Sequence, residues 1–326
     1  MPKLVTIYGG SGFVGRHIAW RMAKIGWRVR VAVRRPNEAM FVKPYGYVGQ
    51  VEPIFCNIRD DDSVAAAMQG ADAVVNCVGI LDNTGSNTFD AVQAQGAERI
   101  AKIAAERGIG YMVHLSALGA NLDSESTYAR TKAVGEASVL SHMPGAMILR
   151  PSVIFGVDDQ FFNRFASMSR LGPFLPLVGG ETLFQPVYVD DVAQAAVKGI
   201  LGEAEGVFEL GGPEAKSLAG WVDDILSEVN RSKIVINMPF AVGRMMGWFF
   251  DITCKALFGL FDNKIVTRDQ VKLLRHDNVV SANAKSFAEL GIKPTATDSI
   301  IGDYLWRFRP SGQYDAIKAS AKNLGI

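Results

Sequence analysis

The 326-residue sequence contains few cysteines, few histidines and no long uncharged apolar run. Its cysteines, Cys56, Cys77 and Cys254, are odd in number and far apart, so they support neither a disulfide framework nor a CxxC metal site. A reducing compartment is therefore expected. The four histidines are equally scattered, which argues against a metal enzyme. No apolar run reaches the roughly 18 residues expected of a membrane-spanning helix.

Charge of one sign is also lacking. The 34 basic and 33 acidic residues leave a net charge of +1, too even for a protein that binds nucleic acid. Strand-like residues begin at Leu4, so we expect no cleavable leader. The 48% of hydrophobic residues against 21% of charged ones excludes general disorder, and the length suits one large domain or two modest ones.

The first half of the chain alternates short apolar runs with helical stretches. The predicted strands are Leu4–Tyr8, Arg28–Val33, Val51–Phe55, Ala73–Cys77, Tyr111–Leu115 and Ala146–Leu149. The predicted helices are Phe13–Ile25, Ser63–Met68, Phe89–Arg107 and Tyr128–Ser141. Such alternation, with strands that are nearly continuous apolar runs, predicts a parallel sheet with helices on both faces.

A glycine-rich turn joins the first strand to the first helix. Its glycines are spaced GxxGxxG, which is typical of a dinucleotide-binding loop: the first permits a tight turn, the second admits the pyrophosphate, and the third lets the helix pack on the strand. An ordinary strand–helix turn is the alternative. The predicted cofactor contacts are Gly9, Gly10, Ser11, Gly12, Phe13, Val14 and Gly15.

The end of the second strand indicates which dinucleotide is bound. An acid that would hold a ribose is expected there, yet the sequence places Arg34 and Arg35 at this point. Two guanidinium groups suit a 2′-phosphate, which they bind by charge-assisted hydrogen bonds. NADP(H) is therefore the predicted cofactor, the alternative being a solvated pair of surface arginines.

Two further strand ends are expected to complete the cofactor wall. Asn57 and Ile58 follow the third strand, where a small polar group can meet the adenine. Val78 and Gly79 follow the fourth strand, beside the expected ribose and nicotinamide. Plain turn chemistry at the ends of these strands is the alternative for both pairs.

Three side chains form a candidate catalytic set. Ser116 follows the fifth strand, and Tyr128 and Lys132 are four residues apart on the next predicted helix, so they share one face. A Lys ammonium is expected to lower the pKa of a neighbouring Tyr, which can then exchange a proton with a carbonyl or an alcohol. Tyr and Lys are also common on helix surfaces, which is the competing interpretation.

Together these motifs resemble the short-chain dehydrogenase/reductase superfamily, in its extended or atypical branch. A narrower resemblance lies in residues 150–156, 159–166 and 185–192, which are similar to the family of nucleotide-binding accessory subunits of respiratory complex I, NADH:ubiquinone oxidoreductase. The resemblance implies catalytic-type residues Ser116, Tyr128 and Lys132, of which the last two also contact the cofactor. It implies a further cofactor contact at Pro151.

That family resemblance has consequences for function. It implies a tightly held NADPH, a structural or regulatory role without known turnover, and membrane and peripheral complex I subunits as partners, near the quinone site. The expected location is peripheral, on the cytoplasmic face of a bacterial inner membrane or the equivalent matrix side in mitochondria. One departure concerns Gln93, which stands where catalytic relatives often carry Asn and puts the proton relay in doubt.

The sequence pattern changes after Pro151, where the predicted loops become longer and carry Gly and Pro. We expect a Rossmann-type doubly wound parallel sheet in residues 1–155, with 185–210 returning to it. A smaller, interleaved C-terminal α/β domain is expected in 156–184 and 211–326. Within it, Phe240 to Asp262 reads as a helix with one narrow charged stripe and apolar sides. This segment is interpreted as a docking helix at a lipid interface, followed by a basic tail, or as a core helix or lid.

Three functions follow from the sequence. The leading hypothesis is a cofactor-holding accessory subunit of complex I. The second is an active NADP-dependent reductase or dehydrogenase of a lipophilic carbonyl substrate. The third is a binding protein that senses NADPH.

Overall fold

The computed structural model describes residues 2–242 and 268–314, and these residues form two compact units. The described part of the first unit consists of residues 2–152, 189–211 and 280–294. The second consists of residues 153–188, 212–242, 268–279 and 295–314. The predicted docking helix lies almost wholly outside the described residues, as does the end of the basic tail. Within the described ranges, no helix is long and apolar enough to cross a membrane.

The first unit is built on a seven-stranded parallel sheet in the order β3-β2-β1-β4-β5-β6-β11. This order reverses direction between β1 and β4, as in a doubly wound dinucleotide-binding sheet. The central strands are buried on both faces, which explains their continuous apolar sequence. The strands are β1 Leu4–Tyr8, β2 Arg28–Val33, β3 Val51–Phe55, β4 Ala73–Asn76, β5 Tyr111–Leu115, β6 Met147–Pro151 and β11 Gly206–Leu210.

Helices cover both faces of this sheet. One face carries a core to which α2, α3 and α4 contribute, and α1 packs against α6 elsewhere in the unit. Side chains fix two helix starts: Asp60 accepts from Ser63 N at 2.7 Å, and Ser126 accepts from Ala129 N at 3.3 Å. The helices are α1 Phe13–Lys24, α2 Asp61–Ala67, α3 Gln95–Glu106, α4 Thr127–His142 and α6 Val189–Ile200. A 3₁₀ stretch spans Pro36–Tyr45, and a π-helical turn, Asp90–Ala94, precedes α3.

The boundary between the units differs in detail from the sequence-based division. Residues 280–294, assigned above to the C-terminal domain, belong to the first unit. They lie along β11, where Glu209 N donates to Lys285 O at 2.8 Å and Ser281 N donates to a Glu209 carboxylate oxygen at 2.9 Å. Residues 185–188, expected to return to the sheet, belong to the second unit.

The second unit has its own aromatic core around Phe155, Phe162 and Trp221. Three two-stranded sheets surround it: β7 Ile154–Phe155 with β10 Val187–Tyr188, β9 Leu183–Phe184 with β12 Lys216–Ser217, and β8 Phe174–Val178 with β13 Ile234–Met238. Its described helices are α5 Phe162–Met168, α7 Leu218–Glu228, α8 Arg268–Leu273 and α9 Gly302–Leu305.

One buried carboxylate stabilises the second unit. Asp159 accepts hydrogen bonds from Phe161 N at 2.9 Å, Asn163 N at 3.0 Å and the Tyr304 hydroxyl at 2.7 Å. These bonds tie the loop after β7 to α9, across 145 positions of sequence. Burial raises the pKa of Asp159, and the hydrogen bonds to its oxygens oppose that rise.

Candidate cofactor site

The glycine loop between β1 and α1 has the geometry that the sequence predicts. Gly9 has φ +75°, the left-handed region that favours glycine. Its N–H donates to Ala32 O of β2 at 2.9 Å, and its carbonyl accepts from Gly12 N at 2.9 Å. A Cβ on Gly15 would lie 2.4 Å from Gly9 O and 2.7 Å from Gly10 Cα, so the loop packs directly on the helix at this residue.

Gly12 has a different environment. A Cβ there would lie 3.1 Å from Gly9 O but would otherwise meet open space. Gly12 caps α1 and, as a glycine, has no side chain to hydrogen-bond the first N–H groups of that helix. Those N–H groups and the positive end of the helix dipole therefore form a cradle that fits a pyrophosphate. Within the motif, Val14 is buried, whereas Ser11 and Phe13 are half-buried beside the cradle.

Arg16 was not anticipated from the sequence. Its guanidinium donates to Ser11 O at 3.1 Å and to Gly12 O at 3.2 Å, and its centre lies 4.9 Å from the centroid of the Phe41 ring. Arg16 therefore fixes the outer part of the glycine loop and links it to the 3₁₀ stretch that follows β2. Its position directly after the last glycine of the motif was the available signal.

Arg34 and Arg35 lie exposed just beyond β2. Because Ala32 of the same strand accepts the Gly9 N–H, these arginines follow the strand that borders the glycine loop. Arg35 forms an exposed ion pair with Glu38 at 3.1 Å, and such pairs contribute little to stability. Arg34 forms no ion pair with the residues that the structure describes.

The two polar strand ends have structural partners of their own. The Asn57 side chain accepts from Arg59 N at 3.2 Å, and the Ile58 side chain packs against Gly96 of α3. Asn76 Oδ1 accepts from Val78 N at 3.1 Å, while its Nδ2 lies 3.1 Å from His114 Nδ1. Asn76 thus shapes the turn that presents Val78 and Gly79 and joins the ends of β4 and β5.

Two of the three candidate catalytic side chains, Ser116 and Lys132, lie at these strand ends. Ser116 is buried, and its Oγ has no hydrogen-bond partner within the described residues. Lys132 Nζ donates to Leu115 O at 2.9 Å and would lie 3.4 Å from a Cβ on Gly79. The structure therefore brings Lys132 to the ends of both β4 and β5. An unpaired buried hydroxyl directly after β5 fits a bound dinucleotide, whose ribose or nicotinamide would supply the missing partner.

Burial sets the protonation of this site. It lowers the pKa of Lys132 to about 8, although the Glu136 carboxylate partly opposes this change. It raises the pKa of Tyr128 to about 12, and the Tyr128 ring packs edge-on against Phe89 with centroids 5.9 Å apart. The expectation that Lys132 lowers the pKa of Tyr128 is therefore wrong in direction, because desolvation of the phenolate dominates. Tyr128 stays protonated at neutral pH.

An ion-pair network anchors the helix that carries these residues. Glu136, one turn beyond Lys132 on α4, accepts from Arg150 at 2.6 and 3.0 Å, and Arg150 also lies 3.6 Å from Glu209. This network fixes α4 against β6 and β11. Glu136 was missed from the sequence, although its i,i+4 spacing from Lys132 was visible. Pro151, the residue after Arg150, is buried at the end of β6, and its carbonyl accepts from Leu118 N at 3.0 Å.

The hydrogen bonds of Gln93 explain why this position carries Gln where catalytic relatives often carry Asn. Its Nε2 donates to Ile80 O at 2.7 Å and its Oε1 accepts from the Thr131 hydroxyl at 2.9 Å. The longer amide thus bridges the loop after β4 directly to α4. The main-chain carbonyl oxygen of Gln93 faces Gly135, where a Cβ would lie 2.3 Å from it. Gln93 has a structural role between the two walls of the site.

His114 gives the site a measurable pH signature. Burial, assisted by Lys132, lowers the pKa of His114 to about 3, and within the described residues its Nε2 has no partner. The unfolded chain binds a proton near pH 6.5, whereas the folded chain does not until about pH 3. The free energy of unfolding should therefore fall as the pH drops below 6.5, by about 2 kcal/mol at pH 5.

Denaturant unfolding of the nucleotide-free protein between pH 8 and 5 measures this loss. His114→Gln keeps an amide for Asn76 and removes the titration, so its unfolding free energy should vary less over that range. Equal pH dependence of the two proteins would contradict the assignment.

The residues that carry these groups match a known family. The NAD dependent epimerase/dehydratase family model matches residues 5–211, and the chain belongs to this family. The fold is therefore an NAD(P)-binding one. Among the described residues, no group of three or more His, Cys, Asp or Glu side chains could hold a metal ion.

Two relatives that are complex I subunits are similar over almost the whole chain, and a third is similar over a shorter stretch. NADH dehydrogenase (ubiquinone) 1 alpha subcomplex subunit 9 of Arabidopsis thaliana mitochondria is 34% identical, over 95% of this chain and 79% of its own. The mitochondrial 40 kDa subunit of NADH-ubiquinone oxidoreductase from Neurospora crassa is 30% identical, over 97% and 82%. A ceramide reductase from Caulobacter vibrioides is 29% identical, over 64% of each chain.

Solved structures share the fold. The crystal structure of gox2253 superposes with a TM-score of 0.67 and 21% identity, over 95% of this chain and 99% of its own. The Bordetella bronchiseptica enzyme WbmH, crystallised with NAD+, gives a TM-score of 0.60 and 17% identity, over 73% and 86%. At these identities the likeness is one of fold.

Proposed function

We propose that this chain is an NADPH-binding accessory subunit of respiratory complex I, with a structural or regulatory role near the membrane and the quinone site. The observation that carries the proposal is the extent of the similarity. The family model ends at residue 211, whereas the Arabidopsis and Neurospora complex I subunits align over 319 residues of the comparison. The part of the second unit that lies beyond residue 211, which the family model does not cover, is thus aligned with these subunits as well.

Two features of the site support holding a cofactor. The glycine cradle leaves the first N–H groups of α1 available to a pyrophosphate. Lys132 and Tyr128 can hydrogen-bond the hydroxyl groups of a nicotinamide ribose, which requires no substrate. The cofactor is NADPH in this proposal, because Arg34 and Arg35 offer cations where an acid would hold an unphosphorylated ribose. The protein would be peripheral, on the cytoplasmic face of a bacterial inner membrane or the matrix side in mitochondria.

Purification of the tagged chain from its native membrane in mild detergent tests this function. We expect co-purification with a large assembly that contains flavin and iron–sulfur centres, and about one NADPH per chain in the denatured extract. Isolation as a lone chain under these conditions would overturn the subunit assignment, whatever nucleotide it carried.

A specific observation favours reductase activity as the second candidate. The relative from Caulobacter vibrioides is a ceramide reductase. Here Ser116 Oγ could hold a carbonyl oxygen, and Tyr128, kept protonated by its raised pKa of about 12, could supply the proton during reduction. The same protonation does not favour the reverse oxidation, in which Tyr128 would have to act as a phenolate base.

Tyr128→Phe separates the two candidates. In an accessory subunit it should leave the turnover of assembled complex I nearly unchanged and weaken NADPH binding by at most about tenfold, the value of one hydrogen bond. Gly12→Val is the comparison, because its side chain occupies the pyrophosphate cradle, and it should lose both bound NADPH and assembly. Lost turnover in Tyr128→Phe, with normal assembly and bound NADPH, would favour the reductase.

A further inference from the structure

The parallel pair β8–β13 in the second unit has an unusual outer surface. Ile234 pairs with Phe174 and Ile236 with Pro176 in the strand register. Successive side chains of a strand point to opposite faces, so the two residues of each pair and the two pairs themselves share one face of the sheet. Leu175 and Leu177 lie on the other face and are buried in the aromatic core. One side of this small sheet is therefore core, and the other is a distinct surface.

That other surface is apolar and exposed. Phe174 is 55% exposed, Ile234 60% and Ile236 43%, and Leu171 in the adjoining turn is 71% exposed. We call Leu171, Phe174, Ile234 and Ile236 the apolar sheet face. Parallel strands with both faces apolar are normally covered on both, and a contiguous exposed apolar patch marks an interaction surface. β13 therefore has the apolar sequence typical of a buried strand, although the side chains on its outer face are exposed.

The two chain segments that form this face carry charges of one sign. The two segments that form it, residues 169–180 and 229–242, contain Arg170, Arg231 and Lys233 and no Asp or Glu. Lys233 Nζ donates to Gly172 O, which places an ammonium at the turn that carries Leu171. Arg170 is exposed in the same turn. Aromatic and aliphatic side chains bordered by cations are typical of surfaces that bind anionic lipid head groups.

We propose that the apolar sheet face docks the second unit on an anionic lipid bilayer. Phe174, Ile234, Ile236 and Leu171 enter the boundary between head groups and acyl chains, and Arg170 and Lys233 lie against the phosphates. The four residues of this face lie outside the sequence segment Phe240–Asp262, which the sequence indicates as a docking helix. The inference extends the proposed function, because it names the lipid contact of a subunit seated at the membrane.

Vesicle flotation of the purified full-length protein with NADPH tests the proposal. The probes are vesicles of phosphatidylcholine alone and vesicles in which about a third of the lipid is phosphatidylglycerol. We expect binding to the anionic vesicles that falls in about 0.5 M salt, because the head-group attraction is screened. The double variant Phe174→Ser/Ile234→Ser should reduce the partition coefficient by about tenfold or more.

Two further variants keep the test specific. Tyr47→Ser/Val48→Ser removes apolar side chains of the first unit that are even more exposed, and it should leave vesicle binding unchanged. Arg170→Glu should remove the preference for anionic vesicles without altering any buried contact. Undiminished binding by Phe174→Ser/Ile234→Ser overturns the proposal. So does an equal loss in the Tyr47→Ser/Val48→Ser control, or self-association through this face without vesicle binding.

The result of the vesicle test can be distinguished from the result of the co-purification test of the proposed function. If the chain co-purifies with complex I but does not bind anionic vesicles, the lipid contact is wrong and the subunit assignment stands. If it binds vesicles through the apolar sheet face but never co-purifies with the complex, the subunit assignment is wrong and the lipid contact stands.

Discussion

Gly15→Ala should abolish dinucleotide binding and destabilise the first unit. The added methyl group would lie 2.4 Å from Gly9 O and 2.7 Å from Gly10 Cα, and both are backbone atoms that no side-chain rotation can move away. Either α1 shifts from β1 or the loop opens, and each change removes the pyrophosphate cradle. Overpacking of this kind costs about 1–3 kcal/mol in the nucleotide-free protein.

When nucleotide is present, Gly15→Ala also loses the stabilisation that nucleotide binding gives to the native state. At a nucleotide concentration of about 100 times Kd, binding stabilises the native state by about 2.7 kcal/mol, and the variant forgoes this entirely. Thermal unfolding with and without NADPH measures both effects. The wild-type protein should show a nucleotide-dependent rise in Tm, and Gly15→Ala should show none.

Gly110→Ala is the matched control. Gly110 precedes β5 in an exposed position, and the nearest heavy atom to a Cβ there is 4.0 Å away. The same substitution should therefore leave Tm and nucleotide binding close to wild type. Normal NADPH binding by Gly15→Ala would show that the loop is not the cofactor cradle.

The sheet and its glycine loop could be predicted from sequence because their signals are local. The bounds of β1, β2, β3 and β5 match those predicted from apolar runs, and α1 begins at the predicted Phe13. An apolar strand that leads into closely spaced glycines and then a helix constrains the backbone within a dozen residues. Periodicity and turn chemistry are sufficient at that range.

The contacts that sequence analysis missed are distant in the chain or depend on burial. Residues 280–294 join the first unit through bonds to Glu209, about 70 positions away, and no local pattern encodes that pairing. The raised pKa of Tyr128 could not be read from its spacing to Lys132, because spacing shows proximity but not desolvation. The apolar sheet face was also missed, since an exposed strand and a buried one can share the same sequence pattern.

The proposed preference for NADPH rests on the two arginines beyond β2. Arg34→Asp/Arg35→Asp should lower NADPH affinity by about a hundredfold or more, because each charge-assisted hydrogen bond to a 2′-phosphate contributes about 1.5–3 kcal/mol and the new carboxylates repel that phosphate. NADH affinity should fall far less or rise, since a carboxylate at this strand end can accept from a free ribose hydroxyl. Arg35 can leave Glu38 at little cost, because that ion pair is exposed.

Titration of the purified variant with each nucleotide, by calorimetry or nicotinamide fluorescence, measures both affinities at one salt concentration. Lys24→Asp/Arg28→Asp is the matched control: it makes the same change in net charge on exposed residues that flank the opposite, N-terminal end of β2. If long-range charge alone were responsible, the control would lose NADPH affinity to the same degree as the Arg34→Asp/Arg35→Asp variant. A wild-type protein that binds NADPH and NADH equally well would show instead that these arginines do not contact a 2′-phosphate, and their place at the end of β2 would have no bearing on the choice of cofactor.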